Sequence, residues 1–521
     1  MGTLGALPWL LVFTLGPSPM VLQTLVSALA LLGVLAWTWR AAQDDPAAAA
    51  GSLRAGVAYG WLWAALLSTG MALLQYFDLT QGLQPWVSES HGVAFANLRQ
   101  RNQFATLTLL GWASAVCLMA QATRSAAQWA LALAVVLLLA GNAASHSRTG
   151  LVGLLLLLLL AVLWRRALGR AAFGLALVSL PVFVLWAVLL PRFGGLPEEG
   201  WGTFGRLAEG DAACSSRLTL WRNVLHLIQL RPWTGWGMGE LDYAHFVTLF
   251  PDERFCAILD NAHNLPLHVA VELGLPAAVV LCGGLLLWVL RQRPWAEQAA
   301  PRQLAWMALA AIALHSLLEY PLWYGPFQMA VLLSVWLLAS TEASNSRVRG
   351  ATGASGQKSG FFGQFRQYKS RKFAPVLIVI GLAATIVVAW DYWRISQLYL
   401  AAEQRSPAFA DDPMAHARRS WLFAPQVQFA ELTLTPLTRD NAAAQYQLAQ
   451  QVLHFSPEPR VIERVLEAAL LLRRDEDVAF FLRRYQAAFP DAAAQWLDKA
   501  KPPLPQNSPT FPHASRASAR R

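Results

Sequence analysis

The chain has 521 residues, of which 55% are hydrophobic and 14% charged, and its formal net charge is +10. This balance excludes an ordinary soluble globular protein, because the apolar residues come in blocks near the length of a bilayer crossing. It also gives no ground for nucleic-acid binding: much of the excess positive charge sits in short loops between apolar runs, where membrane topology accounts for it.

In chain order, eleven candidate spans are predicted: Leu4–Gly16, Pro19–Thr38, Leu53–Tyr76, Gln103–Gln121, Gln128–Ala143, Thr149–Trp164, Ala171–Leu190, His263–Leu290, Leu304–Leu318, Trp323–Ala339 and Phe373–Tyr392. The expected fold class is therefore all-α, a polytopic helical membrane protein. The first span is short. Met1–Met20 lacks a basic start and a small-residue cleavage site, so it is expected to be a retained membrane segment and not a signal peptide. Many of the 23 Trp and 10 Tyr fall near the ends of apolar runs, as interface anchors do.

Orientation follows from the basic residues. Arg347, Arg349, Lys358, Arg366, Lys369, Arg371 and Lys372 crowd one loop, which the positive-inside rule puts on the cytoplasmic side. With the N-terminus inside as well, the inner loops carry Arg40 and Arg54, then Arg124, then Arg165, Arg166 and Arg170, then Arg291, Arg293 and Arg302. The outer side then receives Phe77–Asn102, the long loop Pro191–Ala262 and everything after Trp393. Gly, Pro, Trp and charges of both signs in the long loop suggest a folded cap. Beyond Trp393, periodic apolar positions in Asn441–Phe455, Glu458–Leu472 and Glu476–Phe489 predict a small helical domain whose spacing of roughly thirty residues suggests helix-pair repeats. Residues 501–521 are rich in Pro, Ser and Arg and are expected to be disordered.

Cys117 and Cys282 lie in predicted spans, where a small buried thiol is ordinary. Cys214 and Cys256 share the long outer loop. In an oxidising compartment they are expected to pair, the alternative being two free thiols.

Four outer-side motifs carry candidate chemistry. In Asn97–Gln103, Asn102 and Gln103 stand where a span begins; the ordinary role there is an interfacial cap. Ser145–Gly150 forms a tight turn holding Arg148, which can snorkel to lipid phosphate or grip a diphosphate with its planar donor fork. Arg217 and Arg222 in the long loop offer similar donors. Asp260–Asn264 contains His263, whose residue type, with an unperturbed pKa of about 6.5, suits proton transfer near neutral pH. His315–Tyr324 joins two spans by a short turn, where ionisable Glu319 is costly unless paired or used. There is no HExxH, no paired CxxC and no tight Asp cluster to hold a metal.

The stretches NLRQRNQFAT, SHSRTG, SSRLTLWRNVLHLIQLRPWTGWGMGE, DNAHNLPLHVAVELGLP and HSLLEYPLWYGPF, in this order, resemble the O-antigen ligase and bacterial O-linked oligosaccharyltransferase superfamily (Wzy_C type), more closely its PglL-like protein-glycosylating branch. The likeness runs from about Asn97 to about Pro490. Arg101 stands where a Pro commonly follows Arg-Gln, and Ala96 replaces a usual Gly.

This resemblance implies a metal-independent glycosyltransferase of the bacterial inner membrane, with its active site on the periplasmic side. It would move a glycan from undecaprenyl diphosphate to an acceptor hydroxyl, on Ser or Thr of a pilin-like protein, on lipid A core or on a growing polysaccharide. His263 would be catalytic, with Tyr320 and Glu319 as a second catalytic or acceptor-orienting position. Arg148, Arg217 and Arg222 would hold the diphosphate, and Asn102, Gln103 and Asn264 would contact substrate.

The expected organisation is an N-terminal transmembrane bundle over 1–190, a periplasmic loop over 191–262, further transmembrane helices over 263–392 and a periplasmic TPR-like helical domain over 393–500. The O-antigen ligase-related region would cover about 130–340. A transporter of the lipid-linked glycan is the reading from another class. It should carry ionisable residues near the bilayer midplane, whereas here they fall at the outer ends.

Overall fold

In this computed structural model the described residues are 1–12, 19–194, 213–351 and 361–500. They form helices and loops, with one isolated bridge pair, Phe77 with His91. The basic tract 347–372 and the tail beyond 500 fall wholly or partly outside these residues, so the expectations placed there carry no structural account.

The membrane part begins with α1 (Gly2–Leu10), α2 (Pro19–Asp44) and α3 (Pro46–Tyr76). Pro46 opens α3 behind Asp45, whose carboxylate accepts from the Ala47 and Ala48 amides and so caps the helix start. Next come α4 (Arg101–Met119), α5 (Ser125–Ala144), α6 (Arg148–Leu163) and α7 (Arg165–Phe193). Among the described residues six helices are long and apolar enough to cross a membrane, including α2, α3, α5 and α7, and 148–163 and 325–339 are shorter apolar helices.

Two expected spans come out differently. The described part of Leu4–Gly16 is the nine-residue α1, about 14 Å long and too short to cross. Its Trp9 is buried inside the bundle, edge-on to Phe327. His263–Leu290 is not one helix: α10 (Leu265–Leu273) stops at Gly274 and α11 (Leu275–Gln292) starts anew. Gly274 has φ +86°, and a Cβ there would lie 2.3 Å from the Trp233 carbonyl oxygen, so only glycine makes this break.

α4 runs through the middle of the bundle and is buried along nearly its whole length. Protein, not lipid, surrounds it, which is why it tolerates Thr106, Thr108 and Ser114; each hydroxyl bonds back to a carbonyl of its own helix. Trp112 donates to Ser179 of α7.

In the long loop, α8 (Arg217–Leu230) and α9 (Leu241–Val247) share a small core with α10, which follows the loop: Leu220, Val224, Leu227, Leu241, Leu259 and Val271. Cys214 and Cys256 are joined by a disulfide that ties the start of α8 to the segment leading into α10. α12 (Ala300–Ser316) and α13 (Gly325–Ala351) follow, then the long α14 (Phe361–Ser396).

The tail continues through α15 (Pro413–Ala417), α16 (Ala424–Leu434), α17 (Ala442–Leu453), α18 (Pro459–Leu471), α19 (Asp475–Ala488) and α20 (Pro490–Ala500). α18 is strongly amphipathic, and its Val461, Ile462, Val465 and Leu466 are buried in the tail's core. Phe246 of α9 is buried in that same core, and Arg484 of α19 donates to the Val247 carbonyl. The long loop and the tail therefore pack as one body.

Candidate active site

Glu319 is the hub. It lies in the turn between α12 and α13, almost fully buried. One carboxylate oxygen accepts from Arg217 at the start of α8 and from the Asn102 amide, 2.9 Å away, at the start of α4. The other lies 2.6 Å from Nδ1 of His263. Three other elements thus converge on this one side chain.

Burial pushes the Glu319 carboxyl up, but the His263 hydrogen bond and the Arg217 charge outweigh burial and hold its pKa down at about 2. Glu319 is therefore ionised at neutral pH and can only accept hydrogen bonds. It follows that Nδ1 of His263 carries a proton, which leaves Nε2 as the nitrogen able to take one. The His263 ring is partly open to solvent and stands edge-on to Tyr320, centroids 5.0 Å apart.

Its backbone lies in the left-handed region, at φ +49°, uncommon for a residue with a Cβ. The Asn261 side chain holds that turn by accepting from the His263 amide at 2.9 Å. Behind it, His268 of α10 accepts from the Ala262 amide and lies 3.4 Å from Glu272, which in turn accepts from the Gly239 amide. Burial lowers the pKa of both His146 and His268 to about 4, so they stay neutral at physiological pH. Among these three histidines the accessible one is His263.

Arg217 is half committed. One nitrogen donates to the Leu318 carbonyl and another to Glu319, so of the five N–H groups of a guanidinium three remain for a ligand. Tyr320 and Tyr324 stack at 6.1 Å, and Gln103 bonds to Tyr324. Burial raises the pKa of both phenols, which keeps them protonated as donors. Asn102 spans the site: its amide donates to Glu319 while its oxygen accepts from Ser147, the cap of α6, at 2.7 Å. Arg148 follows directly, at the same end of the bundle.

Two sequence candidates are placed otherwise. Arg222 is exposed and sits five residues along α8 from Arg217, about 140° further round the helix, so it does not join the cluster. Asn264 is occupied as a cap: its oxygen accepts from the Leu267 amide and its nitrogen donates to the Leu317 carbonyl. Its role is to fasten the start of α10 to the turn before Glu319.

Sequence reasoning passed over Ser147, His268 and the pair Thr106–His315, which meet at 2.9 Å between α4 and α12. Ser147 and His315 lie inside two of the motifs above, so motif membership was the available signal. His268 and Glu272 are spaced i, i+4, which puts them on one face of α10.

Residues 133–282 match the O-antigen ligase family, 303–502 the C-terminal region of virulence factor membrane-bound polymerases, and 94–118 the protein glycosylation ligase family. A general O-oligosaccharyltransferase of Acinetobacter baylyi is 26% identical over 275 residues, covering 51% of this chain and 47% of that protein. A ComP-specific O-oligosaccharyltransferase of the same organism is 24% identical over 281 residues, 53% of this chain and 49% of the relative. The chain thus spans about half the length of the curated relatives it matches. No solved structure matches it.

Proposed function

Starting from a chain that resembles the O-antigen ligase and O-oligosaccharyltransferase superfamily, we propose that it transfers an oligosaccharide en bloc from undecaprenyl diphosphate to Ser or Thr hydroxyls of an exported protein such as a pilin. The reaction would run at the periplasmic face of a bacterial inner membrane and need no metal. One observation carries this reading: an ionised Glu319 that holds His263 and Arg217 in the same small volume.

Nε2 of His263 takes the proton of the acceptor hydroxyl as its oxygen attacks the anomeric carbon. The bond from that carbon to the diphosphate oxygen breaks, and its electron pair stays with the diphosphate. The N–H groups of Arg217 that remain, together with Arg148, stabilise the charge that develops there. Tyr320 donates a hydrogen bond to orient the acceptor or the sugar. Glu319 acts through His263 and Arg217, fixing the imidazole tautomer and the guanidinium plane.

The O-antigen ligase match motivates a second reading, transfer to lipid A core, with polysaccharide polymerisation as a variant of it. Expression with a lipid-linked glycan pathway, a pilin-like protein and lipid A core present together separates these readings. Mass spectrometry should find the glycan on the protein. Glycan on lipid A core alone would replace the leading reading by the second, and glycan on neither would overturn both.

A further inference from the structure

We propose that a slot at the end of the bundle opposite the His263–Glu319 site binds one anionic phospholipid, its phosphate on Arg54 and Arg124 and one acyl chain laid between α3 and α5. The slot encloses about 680 Å³. Ala55 and Ala58 on one helix and Ala127, Ala130 and Ala134 on the other keep it open over α4, because none of these side chains reaches across. On α3 it is lined from Gly51 to Leu66, and the stretch inward of Arg54 measures about 18 Å at the helical rise. That is close to half of a hydrocarbon core of about 30 Å, the depth one leaflet offers an acyl chain.

The polar end is built for an anion. Arg54 and Arg124 stand at the mouth, and no carboxylate is among the described residues lining the slot. Nε of Arg54 is enclosed and has no hydrogen-bond partner among the described residues. An enclosed charged donor without an acceptor is costly, and a phosphate oxygen relieves that cost with the geometry a guanidinium prefers. Tyr59, about 7.5 Å along α3 from Arg54, lines the slot and is exposed, as an anchor near a membrane interface is. Arginines at helix ends also snorkel to passing headgroups. Such arginines retain no particular lipid, whereas a phosphate joined to a chain of matching depth makes a single stoichiometric site. A free phosphate would use the mouth and leave the apolar shaft unused. This inference does not rest on the transfer chemistry.

The test is native mass spectrometry of the full chain, delipidated in mild detergent and titrated with phosphatidylglycerol, phosphatidylcholine or inorganic phosphate. One phosphatidylglycerol should bind, at least about tenfold tighter than phosphatidylcholine, whose quaternary ammonium adds a positive charge beside the two arginines and competes with them for the phosphate. Arg54→Gln removes the enclosed donor but keeps Arg40 and Arg124 to orient the helices. Ala130→Phe keeps both arginines and plugs the shaft from an exposed position. Each should weaken phosphatidylglycerol about tenfold while glycan transfer and Tm stay as in the wild type. The proposal fails if folded wild type binds no stoichiometric phosphatidylglycerol, if the two lipids bind equally, if either variant binds like the wild type, or if inorganic phosphate at equal concentration displaces the lipid.

Discussion

Glu319 and His263 stand 56 residues apart in sequence and meet with carboxylate oxygen and Nδ1 at 2.6 Å. The carboxylate fixes which imidazole nitrogen is free, so the two residues act as a unit. Glu319→Gln keeps the shape but can no longer dictate the tautomer or hold Arg217 by charge. Transfer should fall by about two orders of magnitude with donor binding retained, measured as glycosylated acceptor per folded enzyme. Near-normal transfer in Glu319→Gln would separate the carboxylate from the chemistry.

His263→Ala is the sharper substitution. If the residue only caps the turn, the loss is about 1 kcal/mol of stability with transfer largely intact. As the proton acceptor, its removal should cost about a hundredfold or more in transfer with expression unchanged. Activity and Tm measured on one preparation distinguish the two.

Arg217 and Arg148 should respond differently to substitution. Arg217 bridges the Leu318 carbonyl and Glu319 and still has N–H groups to offer, a task that needs the planar fork. Arg217→Lys should therefore lose both donor binding and turnover, whereas Arg148→Ala should chiefly weaken the lipid-linked donor. A donor titration with kcat and KM resolved for each variant reads this out.

The ion cluster also sets a pH window for stability. The Glu319 pKa is depressed to about 2 in the folded protein, below its ordinary value near 4.5. Its contribution is thus fully present above about pH 4.5 and is lost as pH falls toward 2. The Tm difference between wild type and Glu319→Gln should be flat from pH 7 to 5 and shrink below that. A difference that instead shrank on raising pH would contradict the sign.

Removing the Cys214–Cys256 bond should loosen the long loop by about 2–4 kcal/mol. Cys214→Ser with Cys256→Ser should become more sensitive to protease there while the membrane helices persist. In the wild type neither cysteine should react with an impermeant maleimide before reduction; labelling without reductant would contradict the bond.

Much of this was legible in the sequence because the relevant patterns are local. Apolar periodicity gave the long helices and those of the tail, and a proline marked the start of α20. Glu319 was readable as a costly ionisable residue where two spans meet, His263 as a residue type suited to proton transfer at the entry of a span, and Arg217 as a phosphate-type donor in the long loop. What stayed hidden depended on three-dimensional packing. α4 looks like one more span, yet its Thr and Ser content fits a helix wrapped in protein, a distinction hydropathy does not make. The break at Gly274 depends on the Trp233 carbonyl, a neighbour 41 residues earlier in sequence. Arg222 reads as a twin of Arg217 until the helical angle separates them, and Asn264 reads as a ligand until both ends of its amide are found bonded to backbone.

The burial of Phe246 within the tail's core has a consequence for biogenesis. Residues 241–247 leave the ribosome about two hundred residues before 442–488, so the loop helix spends much of synthesis without the surface it packs on. The core that takes up Phe246 can form only after the tail has been made and folded. A truncation before α17 should therefore yield the preceding helices with an unassembled cap, read as greater protease sensitivity in 213–262 than in the full chain.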